Sequence, residues 1–156
     1  MAADSKDLEL IETFLESERL SIIASQQTKG LKAHGSSAAA LRTEMFTTGG
    51  ALVDGTGTFE VQEFGRSPGR MPPFAASYQW LELKKYGLTF KNETERRALA
   101  WRIMIKIKRK GSYTFIRKKP TGVLSENITQ ERLDPLIEAL ADKYMLQIVT
   151  DIENLK

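Results

Sequence analysis

The sequence predicts an α+β fold: a small antiparallel sheet of about three strands, including a long hairpin, packed against helices, with long helices at both ends. Three observations predict it. Apolar residues recur at helical spacing near both termini, a glycine-rich stretch between Phe46 and Gly65 alternates like paired strands, and an uninterrupted helical segment runs between Asn92 and Gly111. The 156 residues have the size of a single domain, with residues 1–29 as an N-terminal helix open to contact with a neighbouring subunit and 30–156 as the core.

The first helix is expected from about Lys6 to Ser25, capped by Asp4 or Ser5, with Leu8, Ile11, Phe14, Leu15 and Ile22 on one side and glutamates on the other. A short helical run is expected from Ser37 to Met45. The hairpin follows, with Asp54-Gly55-Thr56-Gly57 as its turn and Phe59, Val61 and Glu63 alternating with Glu60, Gln62 and Phe64. On that alternation Glu60 and Glu63 face solvent.

Pro72-Pro73 suits the first turn of a helix reaching about Tyr86, with Gly87 as its stop. Asn92 and Glu95 have capping-box spacing and open a helix that closes at Gly111. Leu99, Ala100, Ile103, Met104 and Ile107 form one apolar stripe on it, and Ala98, Trp101 and Ile105 a second, so this helix is expected to be sandwiched at the centre of the fold. Ser112 to Lys119 reads as a third strand. Asp134-Pro135 reads as the start of the last helix, carried by Leu136, Ile137, Leu140, Tyr144, Ile148 and Ile152.

Composition narrows the function classes. The chain has no cysteine, so disulfides and thiolate metal sites are excluded. No apolar run approaches the roughly 18 residues of a membrane span, and the acidic start does not look like a signal peptide, which points to a cytoplasmic site of synthesis. The net charge of +3 is unevenly spread: Lys84 to Lys119 carries 13 Lys and Arg against 2 Glu, and both flanks are acidic.

Few residues suggest chemistry. The single histidine, His34, lies in a Gly/Ser stretch with no base or nucleophile beside it, and neither "GTGTFE" nor "GRSPG" has the spacing of a phosphate loop. No catalytic residue, metal ligand, cofactor or small-molecule substrate is expected. Tyr78, Trp80, Tyr86 and Trp101 are expected to pack in the core or at a subunit interface. The cations are the stronger signal. Arg102, Lys106 and Arg109 form a polar ridge on the central helix, extended by Lys108, Lys110, Arg117, Lys118 and Lys119, and such a ridge is either a solvated face, a sequence-independent nucleic-acid contact or a surface for an acidic partner.

The segment "EFGRSPGRMPPF", followed by "WLELKKYGL", "ERRALAWRIMIKIKRKG" and "PTGVLSENI", resembles the head-tail joining and tail-completion proteins of tailed bacteriophages. The matching positions are Gly65, Arg66, Pro68, Gly69, Arg70, Met71, Pro72 and Pro73, then Lys84, Lys85 and Gly87, then Arg97, Leu99 and Ala100. The likeness runs from about Gly30 to the C-terminus and departs in the N-terminal helix.

The resemblance implies a non-enzymatic virion component, assembled in the host cytoplasm as a homo-oligomeric ring around the DNA channel at the neck or upper tail. Its neighbours would be neck, portal-side or tail-tube proteins, with non-specific contact to channel DNA. Arg66 and Arg70 would then project toward a neighbouring subunit or the channel, the alternative being a plain intrachain turn. Ring symmetry implies that one patch of each subunit meets a different patch of the next.

Overall fold

The computed structural model describes residues 4–31, 36–84 and 89–154 of the chain. Their order is α1 (Ser5–Thr28), α2 (Ser36–Ala40), β1 (Leu41–Phe46), β2 (Gly49–Asp54), α3 (Thr58–Phe64), α4 (Phe74–Lys84), α5 (Glu93–Lys110), α6 (Tyr113–Arg117) and α7 (Gln130–Asn154). The result is a small α+β domain in which a two-stranded antiparallel sheet and long N- and C-terminal helices pack against a helical core.

α1 starts where the Asp4 carboxylate accepts the Lys6 N–H, and it lies on both strands of the sheet. The hairpin itself is earlier than the sequence suggests. Leu41 pairs with Asp54 and Phe46 with Gly49, so the turn is Thr47-Thr48, and helical structure before it is confined to α2.

The expected second strand of the hairpin is instead the helix α3. Asp54 redirects the chain: one carboxylate oxygen accepts the Thr56 N–H and hydroxyl, the other accepts the Phe59 N–H at 2.9 Å, and Gly57 takes a left-handed conformation. Burial pushes the Asp54 carboxyl up, but the N–H groups of Phe59, Thr56 and Gly57 outweigh it and hold it below the ordinary range. Seven residues fit either period. Phe59 and Glu63, four apart, are the buried pair, which is the helical period.

Glu63 is therefore not solvent-facing. It is fully buried, and its carboxylate accepts the Leu124 N–H at 3.0 Å, the Ser125 hydroxyl at 2.6 Å and the Thr121 hydroxyl at 3.3 Å. The Thr121 N–H and hydroxyl also bond the carbonyls of Glu63 and Gln62. This clamp seats Val123 on Phe59, in a core shared with Ile22 of α1 and Leu41 of β1.

α5 keeps its expected bounds. Asn92 accepts the Glu95 N–H, Glu95 accepts the Lys91 N–H in return, and Gly111 ends the helix at φ 85°. It is packed on one side only. Ala100 and Met104 are buried towards α4, whereas Trp101 is 47% and Ile105 40% exposed, so the expected sandwich is absent among the described residues. Phe74 of α4 covers part of Trp101, with ring centroids 5.4 Å apart.

Two further expectations are corrected. Ser112–Lys119 forms no third strand; α6 occupies it, started by Ser112, whose Oγ is bound by the joint described below. The last helix begins at Gln130, not Asp134, because the Thr129 carbonyl already accepts the Arg132 and Leu133 N–H groups, and it encloses Pro135, whose missing N–H leaves the Glu131 carbonyl without an intrahelical donor. α7 docks on α1 through ion pairs: Arg132 with Glu18 at 2.7 Å, and Lys143 with Asp4 at 2.8 Å and with Asp7. The Tyr144 hydroxyl donates to Asp7 at 3.0 Å. Lys143 first, and then Tyr144 against the opposing effect of burial, hold the Asp7 carboxyl below its ordinary value.

For Glu63, burial raises the carboxyl and the donors of Ser125, Leu124 and Thr121 lower it further than burial raises it. A depressed folded-state value contributes stability that is complete above the ordinary glutamate value of about 4.3 and is lost as pH falls through the folded-state value. Glu63→Gln should thus lower the unfolding free energy at neutral pH by about 1–3 kcal/mol and flatten its decline below about pH 4. Urea titrations of both proteins across that range would show this; an unchanged acid branch would contradict it.

Candidate joint and charged faces

The segment Gly65–Pro73 joins α3 to α4, and it is strapped to the end of α5. The Gly65 N–H caps α3 on the Val61 carbonyl at 2.9 Å with φ 79°. Arg66 then makes a two-way contact with Ser112: its N–H donates to the Ser112 Oγ at 2.9 Å, and its carbonyl accepts the Ser112 N–H at 2.8 Å. The Gly69 N–H reaches the Lys108 carbonyl at 2.8 Å, one of the last α5 carbonyls, which no helical N–H can satisfy.

The backbone of the joint is thus committed within the chain, as the plain-turn alternative expects. Its side chains are less committed. Arg70 is exposed and Arg66 half-buried, and among the described residues neither meets a carboxylate. Pro68 is exposed, and Met71 and Pro72 are half-buried. The Pro73 carbonyl accepts the Ser77 N–H, so this proline precedes α4 instead of forming its first turn.

The structure divides the cations into groups. Arg102, Ile105, Lys106, Arg109 and Lys110 line one open groove on the side of α5 opposite Ala100 and Met104. No carboxylate pairs with them among the described residues. Lys108 is exposed on the flank, where it and its neighbours favourably face the α5 C-terminus. Lys118 and Lys119 lie elsewhere, in a groove with Phe64, Phe115 and Pro120. The Arg117 guanidinium covers the Tyr113 ring at 4.5 Å. Arg102, Lys106 and Arg109 thus share one face with Lys110, while Lys118 and Lys119 lie on another.

Sequence reasoning missed an opposite surface. Glu9, Glu12, Thr13, Glu16, Ser17, Leu20, Ser21 and Ala24 line a long open groove along α1. At about 100° per residue they centre on the side of α1 opposite Ile22 and Glu18. The signal was present as the glutamate-rich side of the first helix, but nothing in the linear pattern singles out its groove.

Tyr78 is half-buried, and the Arg96 guanidinium sits over its ring, 4.3 Å from the centroid, and donates to its hydroxyl. Trp80 is 36% exposed. His34, Lys85, Tyr86 and Gly87 lie outside the described residues. Among the described residues, no three His, Cys, Asp or Glu side chains are grouped to hold a metal ion, and no helix is long and apolar enough to cross a membrane.

Comparison with known proteins brings no family model, no curated protein and no solved structure that matches the chain.

With Gly65, Gly111 is one of two tight points of the strap. Its φ is 85°, and a Cβ there would stand 2.8 Å from the Arg66 carbonyl oxygen and 2.7 Å from the Phe115 ring. Gly111→Ala should cost at least about 1–3 kcal/mol, because its backbone conformation at φ 85° and ψ 176° is essentially restricted to glycine. Thermal unfolding of the variant would register it; a wild-type melting temperature would show that the strap is not held as described.

Proposed function

We propose that the chain is a structural subunit of a homo-oligomeric ring in the neck or upper tail of a tailed bacteriophage, joining the head side to the tail around the DNA channel. One observation carries the assembly part of this reading. Large apolar side chains lie exposed on several elements: Leu20 on α1, Trp101 and Ile105 on α5, and Tyr144, Met145 and Ile148 on α7.

The apolar core is small beside them. Buried apolar side chains among the described residues are Ile22, Leu41, Phe59, Leu81, Ala100, Met104 and Val123, while α7 alone exposes Ile137, Tyr144, Met145 and Ile148. Exposed apolar area on this scale favours a surface that a partner covers. The phage assignment rests on the resemblance of Gly65–Pro73 and the helices that follow it. The geometry of the strap is compatible with that resemblance, since it fixes the backbone and leaves Arg70 exposed.

A second reading, a sequence-independent nucleic-acid-binding module, is favoured by the groove of Arg102, Lys106, Arg109 and Lys110. It requires duplex affinity that survives physiological salt despite the steep loss expected of a purely phosphate-based contact.

Electron cryo-microscopy of phage particles purified from cells that make the chain tests the first reading. It predicts a ring of copies on the tail axis between portal and tail tube. Particles without any copy would overturn it, and strong duplex binding at physiological salt would move the assignment to the second reading.

A further inference from the structure

Two faces of this molecule are turned directly away from its own core and carry opposite charge. On α1 the lining from Glu9 to Ala24 contains Glu9, Glu12 and Glu16 and no cation. On α5 the lining from Arg102 to Lys110 contains four cations and no acid. We propose that the α1 face of one copy receives the α5 face of the next, and that this contact is the head-to-tail interface of the ring. The inference rests on the ring reading above and names the partner of its basic face as a second copy of this chain.

Three features support the pairing. The first is charge: Glu9 and Glu12 have no cationic partner among the described residues, nor do Arg102, Lys106 and Arg109 an anionic one. Glu16 is partly neutralised by Arg19, which donates to it at 2.9 Å, so Glu9 and Glu12 carry the net attraction. The second is period. Glu9 and Glu12 lie three residues apart and Arg102 and Lys106 four apart, so each pair presents its charge on one face within about one turn of helix.

The third is shape. Thr13, Ser17, Ser21 and Ala24 are short, which allows another helix to approach within the usual 8–10 Å between axes, roughly, and Leu20 and Ile105 supply apolar contact at the two surfaces. Leu20 is 54% exposed, so it loses area to water only if a partner covers it. Because the two faces differ, the contact is heterologous and propagates from copy to copy, closing into a ring when its rotation divides a full turn. An acidic face of the same chain also explains why the basic groove need not hold DNA.

The chain has no cysteine, so single introduced thiols report the contact directly. Ser17→Cys and Ile105→Cys chains, concentrated and oxidised separately, should remain uncrosslinked, and their equimolar mixture should form disulfide-linked dimers. A chain carrying both substitutions should give a ladder. Glu9→Lys with Glu12→Lys, or Arg102→Glu with Lys106→Glu, should each lower the yield about tenfold, and mixing the two reversed chains should restore it. Circular dichroism checks that the reversed chains fold.

A mixture that yields no more dimer than either single variant overturns the proposal, as does self-crosslinking of the Ile105→Cys chain alone. A reversed α5 face that abolishes duplex DNA binding while leaving the crosslinks intact likewise assigns that face to nucleic acid. The ring reading fails separately. Crosslinks in solution with no copy in phage particles would keep the interface and discard the phage role, and a particle ring without crosslinks would do the opposite.

Discussion

The buried carboxylate of Glu63 is the interaction on which the rest of the fold depends. It collects donors from Thr121, Leu124 and Ser125, and so fixes a loop without regular structure against a seven-residue helix. A charge in that position is costly unless several donors meet it, and here they do. The same loop brings Val123 onto Phe59, completing a core to which α1, β1 and α3 each contribute one large side chain. Lys29 at the end of α1 ties the loop from the other side, donating to the Thr121 carbonyl at 2.8 Å and pairing with Glu126 at 2.6 Å. α3 also leads into the joint, so the clamp and the strap on α5 share one short helix.

The inner connections are therefore polar and specific, and the apolar core is small. Asp7 with Lys143 and Tyr144, and Glu18 with Arg132, hold the terminal helix by charge more than by packing. Such contacts position α7 while leaving Ile137, Met145 and Ile148 outside. Clamps inside and apolar or charged faces outside suit a subunit whose folding is finished by its neighbours.

Much of the helical order was legible from local signals. Asp4, Asn92 with Glu95, and Gly111 act where capping chemistry places them, because these bonds lie within one turn. The strand assignments failed where the deciding bond is made by a side chain outside the segment. Thr58–Phe64 alternates acceptably for a strand, and only the Asp54 carboxylate and the distant Thr121–Ser125 donors make it a helix with Glu63 inside. Ser112–Lys119 has strand-like composition, yet Ser112 is bound to Arg66, 46 residues away. The second apolar stripe on α5 was real in the sequence, but the structure leaves Trp101 and Ile105 substantially exposed. The basic run was equally visible, and the helix turn then split it, because residues adjacent in sequence need not share a face.

The central claim is that the exposed apolar surface is covered by further copies of the chain. Oxidative footprinting of Met145 and Trp101, compared between dilute and concentrated protein, tests it most directly, since both side chains are exposed and both react with oxidant. The account predicts rapid oxidation in the dilute chain and protection of both residues as concentration rises. Equal oxidation at every concentration would contradict it.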